Sequence, residues 1–171
     1  MKKIMLMSVC FWFSTTSLAV VQGQDFPAIS IANHAQGQMD RKQMTGKVTV
    51  MNFWATWCEA CKVELAEMED AFRPFMFEKN FNVAFVSMDK DPKKAVEWFK
   101  KNLKEPGMLL EKLYVDPTFQ AAETLNVDAF PMTFIIDQSG KVQNIYKGFE
   151  EGAGTTNEMV KVIRALMKKS T

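Results

Sequence analysis

Cys58 and Cys61 stand with two residues between them, directly after an apolar run and directly before an amphipathic one. A thiol pair at that spacing can close into a disulfide and reopen, and so can carry two electrons. The positions Cys61, Leu65, Met68, Phe72 and Phe75 follow one another at helical steps of three and four, which predicts a helix that begins at the pair. Unpaired backbone N–H groups and the helix dipole favour a thiolate there, lowering a thiol pKa from about 8.5 toward the range of about 3.5 to 7.5. Cys58 is therefore the expected nucleophile. Cys61, one turn further on and within the apolar stripe, is the expected resolving thiol, which attacks a mixed disulfide from behind.

Three other uses of such a pair compete with this one. A closed zinc site takes four ligands, and with Cys10 in the leading segment that reads as removed, the mature chain adds to these two cysteines one histidine, the loop residue His34, so a closed Cys/His site cannot be assembled. A purely structural bridge would close too small a loop to constrain the unfolded chain much. Cu(I) transfer is the third, because the chain has 13 methionines and soft sulfur ligands suit that ion. Met51, Met68, Met88, Met132 and Met167 fall at predicted core positions, where packing accounts for them. No metal and no bound cofactor is expected.

Several neighbours of the pair could tune it. Glu64 lies three residues beyond Cys61, beside the apolar face of the helix, and by spacing alone could be a solvated carboxylate like Glu67 or Glu69. Glu59 puts a negative charge next to Cys58, which makes the thiolate less favourable, while Lys62 acts in the opposite sense. Trp57 is expected to shield the pair and offer a flat apolar docking surface, and Trp54 to lie in the core.

The elements that must hold these residues alternate. Val48–Ala55 is a near-continuous apolar run, the pattern of a strand buried on both faces. The helix after it should end or kink at Pro74. Val83–Met88 predicts a second buried strand, and Ala95, Val96, Phe99 and Leu103 mark the inner side of a following helix. Glu105-Pro106-Gly107 reads as a break, Tyr114-Val115 as a short extended piece, and Asp116-Pro117 as the capped start of a helix through Glu123. Met132–Asp137 and Val142–Tyr146 are strands joined so tightly that they must be antiparallel. A last helix over Thr156–Lys168 should bury Val160, Ile163, Leu166 and Met167, and Asp25–Lys47 reads as a lead-in hairpin or loop. The expected fold is α/β, a mixed central sheet with helices on both faces.

Lys2 and Lys3 precede an apolar run from Ile4 to Phe13, then the polar stretch Ser14–Ser17 and small residues. That is the three-part pattern of a secretory signal, with a cut after Ala19 or Gly23, leaving one domain over 24–171. The apolar run is shorter than the roughly 20 residues a spanning helix needs, so an uncut membrane anchor is the weaker reading. Cys10 would leave with the signal, and the Cys58–Cys61 pair would be the one internal disulfide the mature chain can form. Lys plus Arg number 21 against 20 Asp plus Glu, with no long run of either sign, so no electrostatic case exists for nucleic acid or a strongly charged substrate.

The segment Asn52-Phe53-Trp54-Ala55-Thr56-Trp57-Cys58-Glu59-Ala60-Cys61-Lys62 resembles the active-site signature of the thioredoxin superfamily. Asn52 and Glu64 narrow the resemblance to the TlpA/ResA branch of exported or membrane-tethered thiol-disulfide oxidoreductases. Asp116, Phe130-Pro131 and Gly148 stand at matching places. The resemblance implies the thioredoxin fold with an N-terminal hairpin extension. It also implies that Glu64 exchanges a proton with the resolving thiol, that Pro131 is a cis-proline facing the disulfide, and that Phe130 contacts substrate. Asn52 occupies the place where thioredoxin itself has a buried acid, which makes Glu64 the substitute. Phe130 and Ala66 depart from common family choices: the first leaves partner identity open, and the second implies a straighter helix. The implied partners are an exported thiol or disulfide protein, apocytochrome c among the candidates, and a membrane thiol electron donor. A disulfide oxidant or isomerase of the same fold is the alternative direction.

Overall fold

The computed structural model describes residues 20–152 and 154–169. Residues 1–19 of the secretory-signal reading, Cys10 among them, lie outside these residues. No helix within them is long and apolar enough to cross a membrane.

The described residues form a seven-stranded sheet in the order β2-β1-β5-β4-β3-β6-β7. Its centre is β3 (Val48–Trp54), which pairs in parallel with β4 (Phe81–Ser87) and antiparallel with β6 (Met132–Ile136). Every residue of these three strands is buried, which is why they lack a polar alternation. β5 (Leu113–Val115) extends the parallel set beside β4, and β7 (Val142–Lys147) closes the far side as the hairpin partner of β6. That hairpin turns where Gly140 takes φ +87°, a conformation open to glycine. The lead-in is a hairpin of β1 (Ile31–Asn33) and β2 (Gln38–Met39) on the β5 edge. It is followed by a one-turn helix, α1 (Arg41–Met44), which Asp40 and Gln43 cap reciprocally.

Alternation along the strands sends side chains into two separate cores. Val48, Val50 and Trp54 of β3 face α2 (Glu59–Phe72), α3 (Pro92–Asn102) and α6 (Thr155–Lys168). Met51 and Phe53 face the opposite core, under α1 and α5 (Gln120–Leu125). Helices therefore cover both faces, and the arrangement is the thioredoxin fold on a mixed sheet. The redox stripe of α2 is buried along its length, and Pro74 falls in a single 3-10 turn that ends the helix. With Ala66 in its middle, α2 runs without interruption.

Several expectations are corrected. Glu105-Pro106-Gly107 does not break the chain but opens a short helix, α4 (Pro106–Leu110), because Pro106 suits a first helical turn. Asp116 does not start a helix. Pro117 and Thr118 form a turn, Phe119 adopts φ +63°, and α5 begins only at Gln120. Asp116 instead accepts a 2.9 Å hydrogen bond from Ala122 N inside that helix. In α6 the buried residues are Thr156, Met159, Ile163 and Leu166, while Val160 and Met167 are only half-buried, a rotation of the inner stripe toward α2. Glu69 is not a solvated carboxylate. It is 2% exposed and accepts from Lys104 N and Glu105 N at 3.0 and 2.7 Å, which ties α2 to the α3–α4 junction.

Candidate active site

β3 ends at Trp54, and four residues later Cys58 caps α2 in an extended conformation. Its sulfur accepts from Cys61 N at 3.2 Å, so the side chain sits over the unpaired N–H groups of the helix tip. A backbone bond from Cys58 N to Ala55 O, 3.1 Å, tightens the turn between strand and helix. Cys58 and Cys61 are joined by a disulfide of 2.03 Å with Cα atoms 5.3 Å apart. Cys58 is 9% exposed and Cys61 is fully buried. An incoming sulfur therefore reaches the first cysteine and not the second.

Glu64 lies deeper than its spacing implied. It is 1% exposed, within the core rather than beside it. Burial pushes its carboxyl from 4.5 up to about 8, the Asn52 hydrogen bond offsets part of that rise, and Glu67 adds to it. Asn52 Nδ2 donates to Glu64 Oε2 at 2.7 Å and to Thr133 Oγ1 at 2.8 Å. Asn52 and Thr133 are direct cross-strand neighbours of β3 and β6, so the sheet register itself builds this cradle. Asn52 Oδ1 is buried and finds no donor. Thr133 was not singled out from the sequence. The available signal was its place in β6, where it alternates with Met132 and Phe134 and so faces the α2 side.

The Phe130–Pro131 peptide bond is cis. Pro131 is buried and its carbonyl accepts from Gly148 N at 2.8 Å, and Phe130 before it is half-exposed. Phe130 meets Trp57 edge-on, ring centroids 5.5 Å apart at 87°. Trp57 is 60% exposed, whereas Trp54 is fully buried against Trp98 and Phe99. Trp57 and Phe130 thus join into one apolar ridge. Glu59 and Lys62 do not act separately on Cys58, because they form an ion pair of 2.7 Å with each other. Met51, Met68, Met88 and Met132 are core residues, and Met167 packs at the edge of the core.

Comparison with known proteins agrees with this geometry. Residues 22–145 match the AhpC/TSA family. The chain belongs to that family. Within it the protein is of the TlpA/ResA-like thioredoxin type. It is 30% identical over 139 residues to the thiol-disulfide oxidoreductase ResA of Geobacillus kaustophilus, covering 80% of this chain and 75% of that one. Its fold is shared with a crystal structure described as a thiol:disulfide interchange protein DsbE of Chlorobium tepidum, TM-score 0.71 at 23% identity, over 86% of this chain and 99% of the other. It is shared too with the exposed lipoprotein thioredoxin Etrx1 of Streptococcus pneumoniae, TM-score 0.63 at 21% identity, over 82% and 100%. The protein is an enzyme of the thiol-disulfide oxidoreductase class.

Proposed function

We propose that the enzyme reduces disulfides of exported proteins, with the Cys58–Cys61 pair itself as the electron carrier and no other cofactor. The observation that carries this reading is the unequal access to the two sulfurs, 9% exposure against none. In the reduced enzyme the Cys58 thiolate attacks one sulfur of the substrate disulfide, forming a mixed disulfide and expelling the other substrate sulfur as a thiolate, which takes a proton from water. Cys61 then gives its proton to the ionised fraction of Glu64, a carboxyl that titrates at about 8 and so near an ordinary thiol, and attacks Cys58 Sγ. The second substrate sulfur leaves as a thiolate that takes a proton from water, and the enzyme ends as the disulfide seen here. An external dithiol, supplied by a membrane electron donor, returns the two electrons, and Glu64 hands its proton back to Cys61.

A carboxyl that holds its proton to about pH 8 is matched to a thiol partner far better than one at 4.5, which supports the proton role of Glu64. The ridge of Trp57 and Phe130, with the backbone beside Pro131, supplies a surface for an extended substrate segment. Pairing of Lys62 with Glu59 leaves that cation unavailable to stabilise the Cys58 thiolate, which favours the reducing direction. Export is supported by the N-terminal basic and apolar pattern and by the likeness to an exposed lipoprotein thioredoxin. An exported apocytochrome c is one substrate of the required chemistry, by analogy with the ResA branch.

The test is covalent trapping. Cys61→Ala should leave Cys58 joined to its substrate, so mass spectrometry of the cell envelope identifies the partner. Recovery of no Cys58-dependent mixed disulfide would reject the mechanism. Equilibration with glutathione buffers checks direction: a potential nearer the about −270 mV of reducing thioredoxins than the about −120 mV of strong oxidants is expected.

A further inference from the structure

Asp89, just past the end of β4, is a buried carboxylate that the mechanism above does not use. It is 3% exposed, and no lysine or arginine of the described residues ion-pairs with it. Leaving such a group inside a protein is costly unless donors converge on it. Three do. Thr56 N donates to Oδ2 at 3.1 Å, Thr56 Oγ1–H donates to Oδ1 at 2.6 Å, and Ser87 Oγ–H donates to Oδ2 at 2.9 Å. Two of the three come from Thr56, two residues before Cys58. Both side-chain oxygens of Asp89 accept in this set, whereas an amide in the same place would offer one acceptor oxygen.

The segment that leads from β4 to Asp89 is itself tied to its neighbours. Met88 N donates to Trp54 O at 2.8 Å, and Asp116 N donates to Ser87 O at 2.9 Å. The turn from Trp54 to Cys58 is thus fastened at its start by Met88 and across its span by the bond from Cys58 N to Ala55 O. Among the described residues, the hydrogen bonds that fasten its middle come from Asp89. A shift of the middle would move the Cys58 sulfur off Cys61 N, where it now sits at 3.2 Å, and would move Trp57 off Phe130. Charge-assisted hydrogen bonds are the strong ones, so this clamp is stiff.

We propose that Asp89 is a positioning residue of the redox site, which acts through Thr56 to hold Cys58 over the N–H groups at the tip of α2. The proposal rests on the reading of Cys58 as the attacking thiolate. It concerns where the sulfur is held, since the negative charge of Asp89 taken alone would make a nearby thiolate less favourable. Loss of the clamp therefore predicts a weaker thiolate, while loss of the charge alone predicts a stronger one. That opposition makes the two effects separable.

The test uses full-length protein carrying Thr56→Val, Thr56→Ser, Asp89→Asn and the double change Thr56→Val with Asp89→Asn. The readouts are the pH profile of Cys58 alkylation by iodoacetamide in the reduced protein and the equilibrium with glutathione. Thr56→Val removes one donor at a half-exposed site without changing charge. It should move the profile to higher pH, slow alkylation at pH 7 by about threefold or more, and shift the glutathione equilibrium by the same factor, or about 14 mV. Thr56→Ser should restore wild-type values. Asp89→Asn should move the profile in the same direction as Thr56→Val, and the double variant should move it no further than the larger single change. A Thr56→Val profile that coincides with wild type, a shift of Asp89→Asn to lower pH, or additive shifts in the double variant would each overturn the proposal. Sluggish alkylation in wild type itself would instead indict the thiolate reading of Cys58.

Discussion

Replacing Glu64 by glutamine should make the protein more stable at neutral and alkaline pH and leave it nearly unchanged in acid. In the folded chain this carboxyl keeps its proton to about pH 8, chiefly because burial disfavours the charged form, against 4.5 when exposed. Below 4.5 both states hold the proton, so the group contributes no pH dependence. Between 4.5 and about 8 the unfolded chain has released its proton and the folded chain has not, so stability falls as pH rises, by up to about 1.4 kcal/mol per pH unit. Above about 8 both states are ionised and the loss levels off, at about 5 kcal/mol. An amide does not titrate and can still accept from Asn52, while its own N–H groups could serve the unpaired Asn52 Oδ1. The excess stability of Glu64→Gln over wild type should therefore grow from near zero at pH 4.5 to about 3 kcal/mol at pH 7. Urea unfolding of both proteins in the oxidised form, at pH 5 to 9, measures this directly, since the disulfide keeps the cysteines from titrating. A difference that stays constant across that range would refute the assignment of a neutral, buried Glu64.

Asn52→Ala removes the hydrogen bond that partly offsets the burial of Glu64, so the alkaline end of the same stability profile should move to still higher pH. Glu69→Ala leaves Lys104 N and Glu105 N without their acceptor and should cost about 1–3 kcal/mol for each donor that stays buried, read by urea unfolding at pH 7. A loss below about 0.5 kcal/mol would show the contact to be idle. Phe130→Ala should raise KM for a protein disulfide by about three- to tenfold, the worth of one aromatic contact, and leave iodoacetamide alkylation of Cys58 unchanged. An equal fall in both would place Phe130 in the support of the cysteines and remove it from substrate docking.

Elements whose signal is local could be read from the residues. The apolar run of β3 and the stripe of α2 carry their own periodicity, and together they put Cys58 at a strand-to-helix junction. The tight β6–β7 connection needs no more than its length. Other features depend on chain segments far apart in sequence, and there local reasoning went astray. Glu69 resembles a surface residue until Lys104 and Glu105 come to it, and α5 starts late because Phe119 takes a left-handed conformation that no propensity predicts. The site divides in the same way. Residue type and spacing determine that two sulfurs can pair at a helix tip, since that follows from backbone geometry within one turn. The raised pKa of Glu64, the cradle of Asn52 and Thr133, and the grip of Asp89 on Thr56 arise only when β3, β4 and β6 lie side by side, because burial and hydrogen bonding between strands belong to the packed sheet and to no single segment of the chain.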